Sequence, residues 1–186
     1  MKGCRPLTDH EALSVLANLN SFRDKCLFIL GCRTGFRISE LLSLKVKDVW
    51  QHGSVPEYVK VERCKTKGKI RSRALKLHPT AKEAVKALVG QDSDPEQFLF
   101  KSREGVNQPI SYSQANYILK QAYSAAKLTG NLATHTLRKT FAHKFYKGSG
   151  HDLLKLSKAL DHSDVRNTQR YIEIDQESID EVIMAG

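Results

Sequence analysis

Apolar residues recur along this chain with two different periods, and the switch between them marks its elements. Thr8-Asp9-His10-Glu11 has the form of a capping box, with Thr8 as N-cap and Glu11 reaching back to it. The helix it opens is expected to carry Ala12, Leu13, Leu16 and Leu19 on one face. The apolar segment from Cys26 to Leu30 predicts a buried helix ending near Gly31. Gly35 suits a tight turn, after which Ile38, Leu41, Leu42 and Leu44 suit a short packed helix. Arg37 stands where that turn meets that helix. Between Tyr58 and Leu77 the period becomes two, and Lys67-Gly68 divides the alternating stretch, which predicts a β-hairpin.

Helical spacing then returns. Pro79-Thr80-Ala81-Lys82-Glu83 repeats the capping-box form, and Ala81, Ala84, Val85 and Leu88 make one core stripe. Residues 91–97 read as a polar loop, and Phe98-Leu99-Phe100 as a short buried strand. A helix is expected over 113–127 with Tyr117, Ile118 and Ala122 inward, and three more over 136–146, 153–160 and 167–172. Ile179, Val182 and Ile183 could form one apolar face of a short final helix. Repeats and low-complexity segments are absent. The expected fold is mainly α with a small antiparallel β-hairpin, an α+β class, in one domain over 1–186 with a leader at 1–6 and a tail at 173–186.

Composition narrows the partners. Thirty Lys and Arg against twenty Asp and Glu give a net charge of +10, which favours a polyanion, nucleic acid rather than membrane. The hairpin concentrates that charge in Arg63, Lys65, Lys67, Lys69, Arg71 and Arg73, with no acid among 63–73. Edge protection against aggregation needs fewer cations, so phosphate contact is the preferred role. The four cysteines form no C-x-x-C pair and no metal-ligand spacing, and reduced thiols are expected. No apolar run approaches the roughly 18–20 residues of a membrane span. The first six residues lack a signal-peptide core, so a cytoplasmic location is expected.

Chemistry concentrates in the thirty-seven residues from His135 to Tyr171, which hold His135, Arg138, His162 and Tyr171. A tyrosine can attack phosphorus once its proton is removed and cations hold the phosphate. Arginine forks match the nonbridging oxygens and stay charged. A lysine or histidine can protonate the departing oxygen. Arg37, Arg138, His135, His162, a hairpin lysine and Tyr171 form a complete set without a metal or cofactor. Each residue alone also fits a structural role: Arg37 as a helix-start ion-pair partner, His135 as a cap, His162 as a loop histidine, Tyr171 as a core aromatic.

Taken jointly, these residues resemble the tyrosine recombinase (phage integrase) family. The carriers are Thr-Gly-Phe-Arg-Ile-Ser-Glu-Leu-Leu-Ser-Leu at 34–44 and His-Thr-Leu-Arg at 135–138. Leu-Asp-His-Ser-Asp-Val-Arg-Asn-Thr-Gln-Arg-Tyr at 160–171 completes them, with Lys65-Thr66-Lys67-Gly68-Lys69 resembling the family's catalytic-lysine hairpin. The resemblance implies that Tyr171 attacks the scissile phosphate to give a 3′-phosphotyrosine link. It implies that Arg37 and Arg138 hold the nonbridging oxygens, that Lys65 protonates the leaving 5′ oxygen, and that Lys67 and Lys69 are competitors for that task. His135 would act as base toward the tyrosine, His162 would hydrogen-bond the phosphate, and Glu40 would support the site or else lie on a helix surface.

The implied partner is double-stranded DNA, with the chain monomeric alone and the tail docking on a neighbouring protomer in a ring on DNA. Two alternatives are a type IB topoisomerase-like nicking and resealing enzyme and a catalytically impaired DNA-binding regulator. The sequence starts near where the family's catalytic domain does, without the usual N-terminal helical domain. That fits an excised catalytic fragment or a naturally short recombinase. Asp161 departs from the family's glycine before the histidine, a substitution that a positive φ would make strained.

Overall fold

The computed structural model describes residues 3–64, 70–162, 164–169, 171–172 and 184, and for 62–64, 70 and 71 the backbone alone. Among these, the elements run α1 (Asp9–Ala17), α2 (Phe22–Thr34), α3 (Ile38–Leu42), α4 (Val46–Val49), β1 (Tyr58–Cys64) and β2 (Ile70–Lys76). They continue with α5 (Pro79–Leu88), α6 (Tyr112–Ala125), α7 (Thr134–Gly148), α8 (Leu153–Ala159) and α9 (Val165–Gln169). The expected mainly helical fold with one small antiparallel sheet is what forms. Two compact units divide the chain, Met1–Phe141 and Ala142–Gly186.

In the first unit, the predicted capping box opens α1: Thr8 Oγ1 accepts the Glu11 N–H, and Glu11 accepts the Thr8 N–H at 2.9 Å. Glu11 also pairs with Arg5, whose guanidinium and the Thr8 cap hold its carboxyl down to about 2. Within the expected leader Arg5 is therefore tied down, and Leu7 beyond it is buried with its N–H on Thr140. The inward face of α1 is the expected one at Ala12, Leu16 and Leu19 but not at Leu13. Val15 and Leu19 are buried with Ala12 and Leu16 packed beside them, while Leu13 is 67% exposed. Positions 12, 15, 16 and 19 follow the i, i+3, i+4, i+7 stripe of a helix, and Leu13 falls about 100° off it.

Helix α2 runs through Gly31 rather than ending there. A Cβ at Gly31 would stand 2.6 Å from a Leu137 methyl, so the glycine serves close approach between α2 and α7. The helix stops instead at Gly35, in the left-handed region at φ 59°. Helix α2 lies at the junction of two clusters. Leu27 and Leu30 join α3, α4, the hairpin and α5 in one, while Phe28 and Cys32 join α1, α6 and Leu137 in the other.

The hairpin pairs Tyr58 with Lys76 through to Cys64 with Ile70. Helix α5 starts two residues earlier than a Thr80 capping box requires. His78 is the N-cap, Pro79 occupies the first turn, and His78 Nδ1 accepts the Thr80 N–H. Phe98 to Phe100 forms isolated bridges, Lys45 with Phe98 and Lys101 with Pro109, instead of a strand. In α6, Ala115, Leu119, Ala122 and Tyr123 are the buried positions, and Tyr117 is 59% exposed on another face.

In the second unit α8 packs on α9, with Leu156, Leu160, Thr168 and Ile172 buried. The expected face of Ile179, Val182 and Ile183 lies outside the described residues. No helix among the described residues is long and apolar enough to cross a membrane.

Candidate active site

The turn from α2 into α3 builds the first half of the chemistry. Thr34 donates to the Leu30 carbonyl and accepts the Phe36 N–H, and Gly35 closes the helix. The chain re-enters helix at Arg37, which is the N-cap of α3. Glu40, three positions on, accepts the Arg37 backbone N–H at 2.7 Å and pairs with its guanidinium at 3.1 Å. One carboxylate thus fixes both the backbone and the fork of the arginine. Glu40 is 7% exposed, which removes the helix-surface reading for it.

Arg73 approaches the same carboxylate at 3.8 Å, with its guanidinium stacked 4.7 Å from the centre of the Phe36 ring. It had been grouped with the cations of the hairpin tip. The structure places its side chain inward at 9% exposure, for a reason visible in the strand itself. Along β2, Ser72, Ala74 and Lys76 are exposed, while Arg73 and Leu75 share the other face. Its π-stacking and its carboxylate neighbour make it a brace between the hairpin and the arginine turn.

Helix α7 supplies His135 and Arg138, whose i, i+3 spacing puts them on one face. Arg138 is 1% exposed and donates to the Gly35 carbonyl, so the two arginine segments are joined through the turn. His135 is exposed at its surface yet crowded enough that desolvation holds its pKa below the ordinary 6.5. Repulsion from Arg138, Lys139 and Arg37 acts in the same direction. Lys139, which sequence reasoning passed over, is buried beside this group. Cations therefore outnumber the single carboxylate, an arrangement suited to an anion with several acceptor oxygens. The neutral form of His135 is favoured there, as a proton acceptor requires.

The second unit carries the other groups. Helix α8 ends at Leu160, and Asp161 takes φ 50°, the left-handed conformation anticipated for the position before His162. The aspartate therefore occupies a backbone state that favours glycine. The His162 and Tyr171 rings stand 5.1 Å apart between centres at a 56° tilt. His162 Nδ1 lies 2.8 Å from the Thr168 hydroxyl, a residue that sequence reasoning quoted without singling out. Its signal was available: Thr168 sits within the 160–171 motif, between the histidine and the tyrosine.

Lys65, Lys67 and Lys69 lie outside the described residues, and Arg63 and Arg71 are described by backbone alone, facing each other in the ladder. His143 and His151 lie outside the motif positions, and the His151 ring makes an edge contact with Tyr146.

Known proteins resemble this chain over most of its length. A sequence profile of the Phage integrase family matches residues 5–178. The "probable integrase/recombinase YoeC" of Bacillus subtilis (strain 168) is 36% identical over 168 residues, covering 90% of this chain and 86% of its own. The "tyrosine recombinase XerD" of Staphylococcus saprophyticus is 30% identical and covers 88% of this chain, but only 54% of its own length is matched. The chain thus spans most of the first relative and about half of the second. Among solved structures, the crystal structure of XerA recombinase superposes with a TM-score of 0.78 at 22% identity. It covers 97% of this chain and 62% of its own, and this likeness speaks for the fold. The matched profile and the relatives agree, and the chain belongs to the phage integrase family, that of the tyrosine recombinases.

Proposed function

We propose that this chain is the catalytic part of a site-specific DNA recombinase, cutting and rejoining strands through a 3′-phosphotyrosine intermediate. The observation that carries the reading is the arginine turn: Arg37 held at two points by buried Glu40, with Arg138 fastened to Gly35. A phosphodiester in the pentacoordinate transition state gains negative charge on its nonbridging oxygens, and preorganised guanidinium forks stabilise that charge without reorganising. Tyr171 attacks phosphorus, its proton passing to His135, which desolvation and the neighbouring cations keep neutral. The bond to the 5′ oxygen breaks and Lys65 delivers the proton to that oxygen. Attack on the phosphotyrosine by a 5′-hydroxyl of another strand reverses the step, so no ATP, metal or cofactor is called for.

Relatives named integrase and recombinase favour strand exchange over nicking and resealing, and the presence of every motif residue in the sequence favours an enzyme over a regulator. Arg63, Lys67, Lys69 and Arg71 would contact DNA backbone, whereas Arg73 would act from beneath through Glu40. Residues 173–186 would dock on a neighbouring protomer once DNA is bound, with the free protein monomeric. Sedimentation with and without duplex tests that part. A substrate of this kind places the protein in the cytoplasm.

The test of the reading uses a pool of nicked duplexes of randomised sequence. In these, a short strand beyond the cut diffuses away and traps the enzyme. Wild type should give an SDS-resistant protein–DNA adduct, and Tyr171→Phe should bind the same pool without forming one. No adduct from wild type, under conditions where a relative reacts, would reject the proposal.

A further inference from the structure

Thr168 touches both chemical groups of the second unit. Its hydroxyl oxygen is 2.8 Å from His162 Nδ1, and its carbonyl accepts the Tyr171 N–H at 2.9 Å. The residue is fully buried, at 0% exposure. A buried hydroxyl has one proton to place, and buried polar groups are nearly always hydrogen-bonded. Two other buried threonines place it on their own helix: Thr34 donates to the Leu30 carbonyl at 2.7 Å and Thr140 to the Thr136 carbonyl at 2.8 Å. Among the described residues Thr168 makes no such bond, and its hydroxyl is directed to the His162 ring instead.

The direction of that bond follows. Were Nδ1 protonated, its N–H would donate to Thr168, and the hydroxyl proton would be left buried without an acceptor. With Nδ1 as acceptor, every group is satisfied, and the neutral ring carries its proton on Nε2. The identity of the protonated nitrogen is set by the bond the other nitrogen makes.

We infer that Thr168 is a positioning residue that locks neutral His162 as the Nε2–H tautomer, so that His162 offers a donor to a substrate oxygen. The inference rests on the strand-transfer reading and sharpens it. The His162 ring stands 5.1 Å from that of Tyr171, and proximity alone would nominate it as the base for the phenol. An Nε2–H nitrogen has no lone pair in the ring plane to take that proton. His162 is thereby a phosphate ligand, and the proton of Tyr171 goes to another group. Because the Thr168 carbonyl also holds the Tyr171 backbone, one residue sets the register of both.

The experiment uses the full chain labelled with ¹⁵N-histidine, at about pH 8, above the ~6.5 at which histidine ordinarily titrates. Long-range ¹H–¹⁵N correlation reads the tautomer, and His162→Gln assigns the signal by its loss. Wild type and Thr168→Ser should show protonated Nε2 and unprotonated Nδ1, and Thr168→Val should show a mixture of tautomers. With the nicked duplex pool, Thr168→Val should form adduct about fivefold more slowly, the factor for one ordinary neutral hydrogen bond, while Thr168→Ser stays close to wild type. An Nδ1–H tautomer in wild type overturns the inference. So does a Thr168→Val protein that is slowed with its tautomer unchanged, since that marks a merely structural role. If Thr168→Val fails to fold, the wild-type and Thr168→Ser spectra still decide. A wild type that forms no adduct rejects the strand-transfer reading, and the tautomer signal is read independently of it.

Discussion

Gly35→Ala concentrates the account of the arginine turn in one methyl group. Gly35 sits at φ 59°, where an alanine costs about 1–2 kcal/mol because its Cβ crowds the following carbonyl. The added Cβ would also stand 2.3 Å from Phe141 Cδ1, 2.8 Å from Cγ and 3.0 Å from Cε1. A ring in a packed interior cannot retreat freely, and overpacking of this kind adds about 1–3 kcal/mol. The sum is about 2–5 kcal/mol of lost stability. With a urea slope of about 2 kcal/mol per molar, the unfolding midpoint should fall by about 1–2.5 M.

Gly53→Ala is the internal control. Gly53 has φ 73° but nothing within 4 Å of its added Cβ, so only the conformational part applies. It should lose about 1–2 kcal/mol. Trimming the ring in Gly35→Ala/Phe141→Leu should recover part of the difference. Equal midpoints for Gly35→Ala and Gly53→Ala would refute the packing argument. A Gly35→Ala midpoint unmoved from wild type would refute the turn geometry. Because the Gly35 carbonyl accepts from Arg138, the variant should also form adduct more slowly in whatever fraction stays folded.

Three further outcomes are expected. Glu40→Gln keeps an acceptor for the Arg37 N–H but removes the charge that Arg37 and Arg73 face. Breaking a buried pair costs about 3–5 kcal/mol, and screening at Arg37, whose side chain is 28% exposed, reduces this to about 1–3 kcal/mol by urea titration. His135 has a folded pKa below its ordinary 6.5, so the unfolded chain binds its proton first on acidification. Its contribution to stability is complete above 6.5 and is lost as pH falls through the folded value, a loss that His135→Gln should abolish in urea midpoints measured across that window. If Lys65 is the acid, replacing the leaving 5′ oxygen with sulfur should restore adduct formation to Lys65→Ala, since a thiolate leaves without a proton. Restoration of Lys67→Ala or Lys69→Ala instead would move the role to that lysine.

Much of the site was legible because its residues are bound to short local patterns. The Thr8 cap and the spacing of Arg37 from Glu40 are i, i+3 relations that backbone geometry imposes, and the Gly35 turn follows from a glycine's freedom at a helix end. The positive φ at Asp161 matches the condition that the family resemblance raised through its glycine at that position. What escaped depended on tertiary neighbours. Gly31 read as a helix end because a glycine in mid-helix is costly, and only Leu137 packing onto it explains the continuation. Leu13 and Tyr117 are apolar side chains that the helical stripe leaves in solvent, so hydrophobicity alone misplaced them. Arg73 was counted with its charged neighbours, although its parity along β2 already put it with Leu75 on the inner face. Its role beside Glu40 and Phe36 needed the turn from thirty-odd positions earlier in the chain. The expected acid at Lys65 and the tail at 173–183 lie outside the described residues.

The central claim is that Tyr171, out of six tyrosines, becomes joined to DNA. Trapped adduct from the nicked duplex pool, digested with nuclease and trypsin, should yield one peptide carrying a residual nucleotide. Fragmentation should place that nucleotide on the Tyr171 oxygen through a 3′-phosphate. Attachment to another residue, or a 5′-phosphate linkage at Tyr171, would contradict the account.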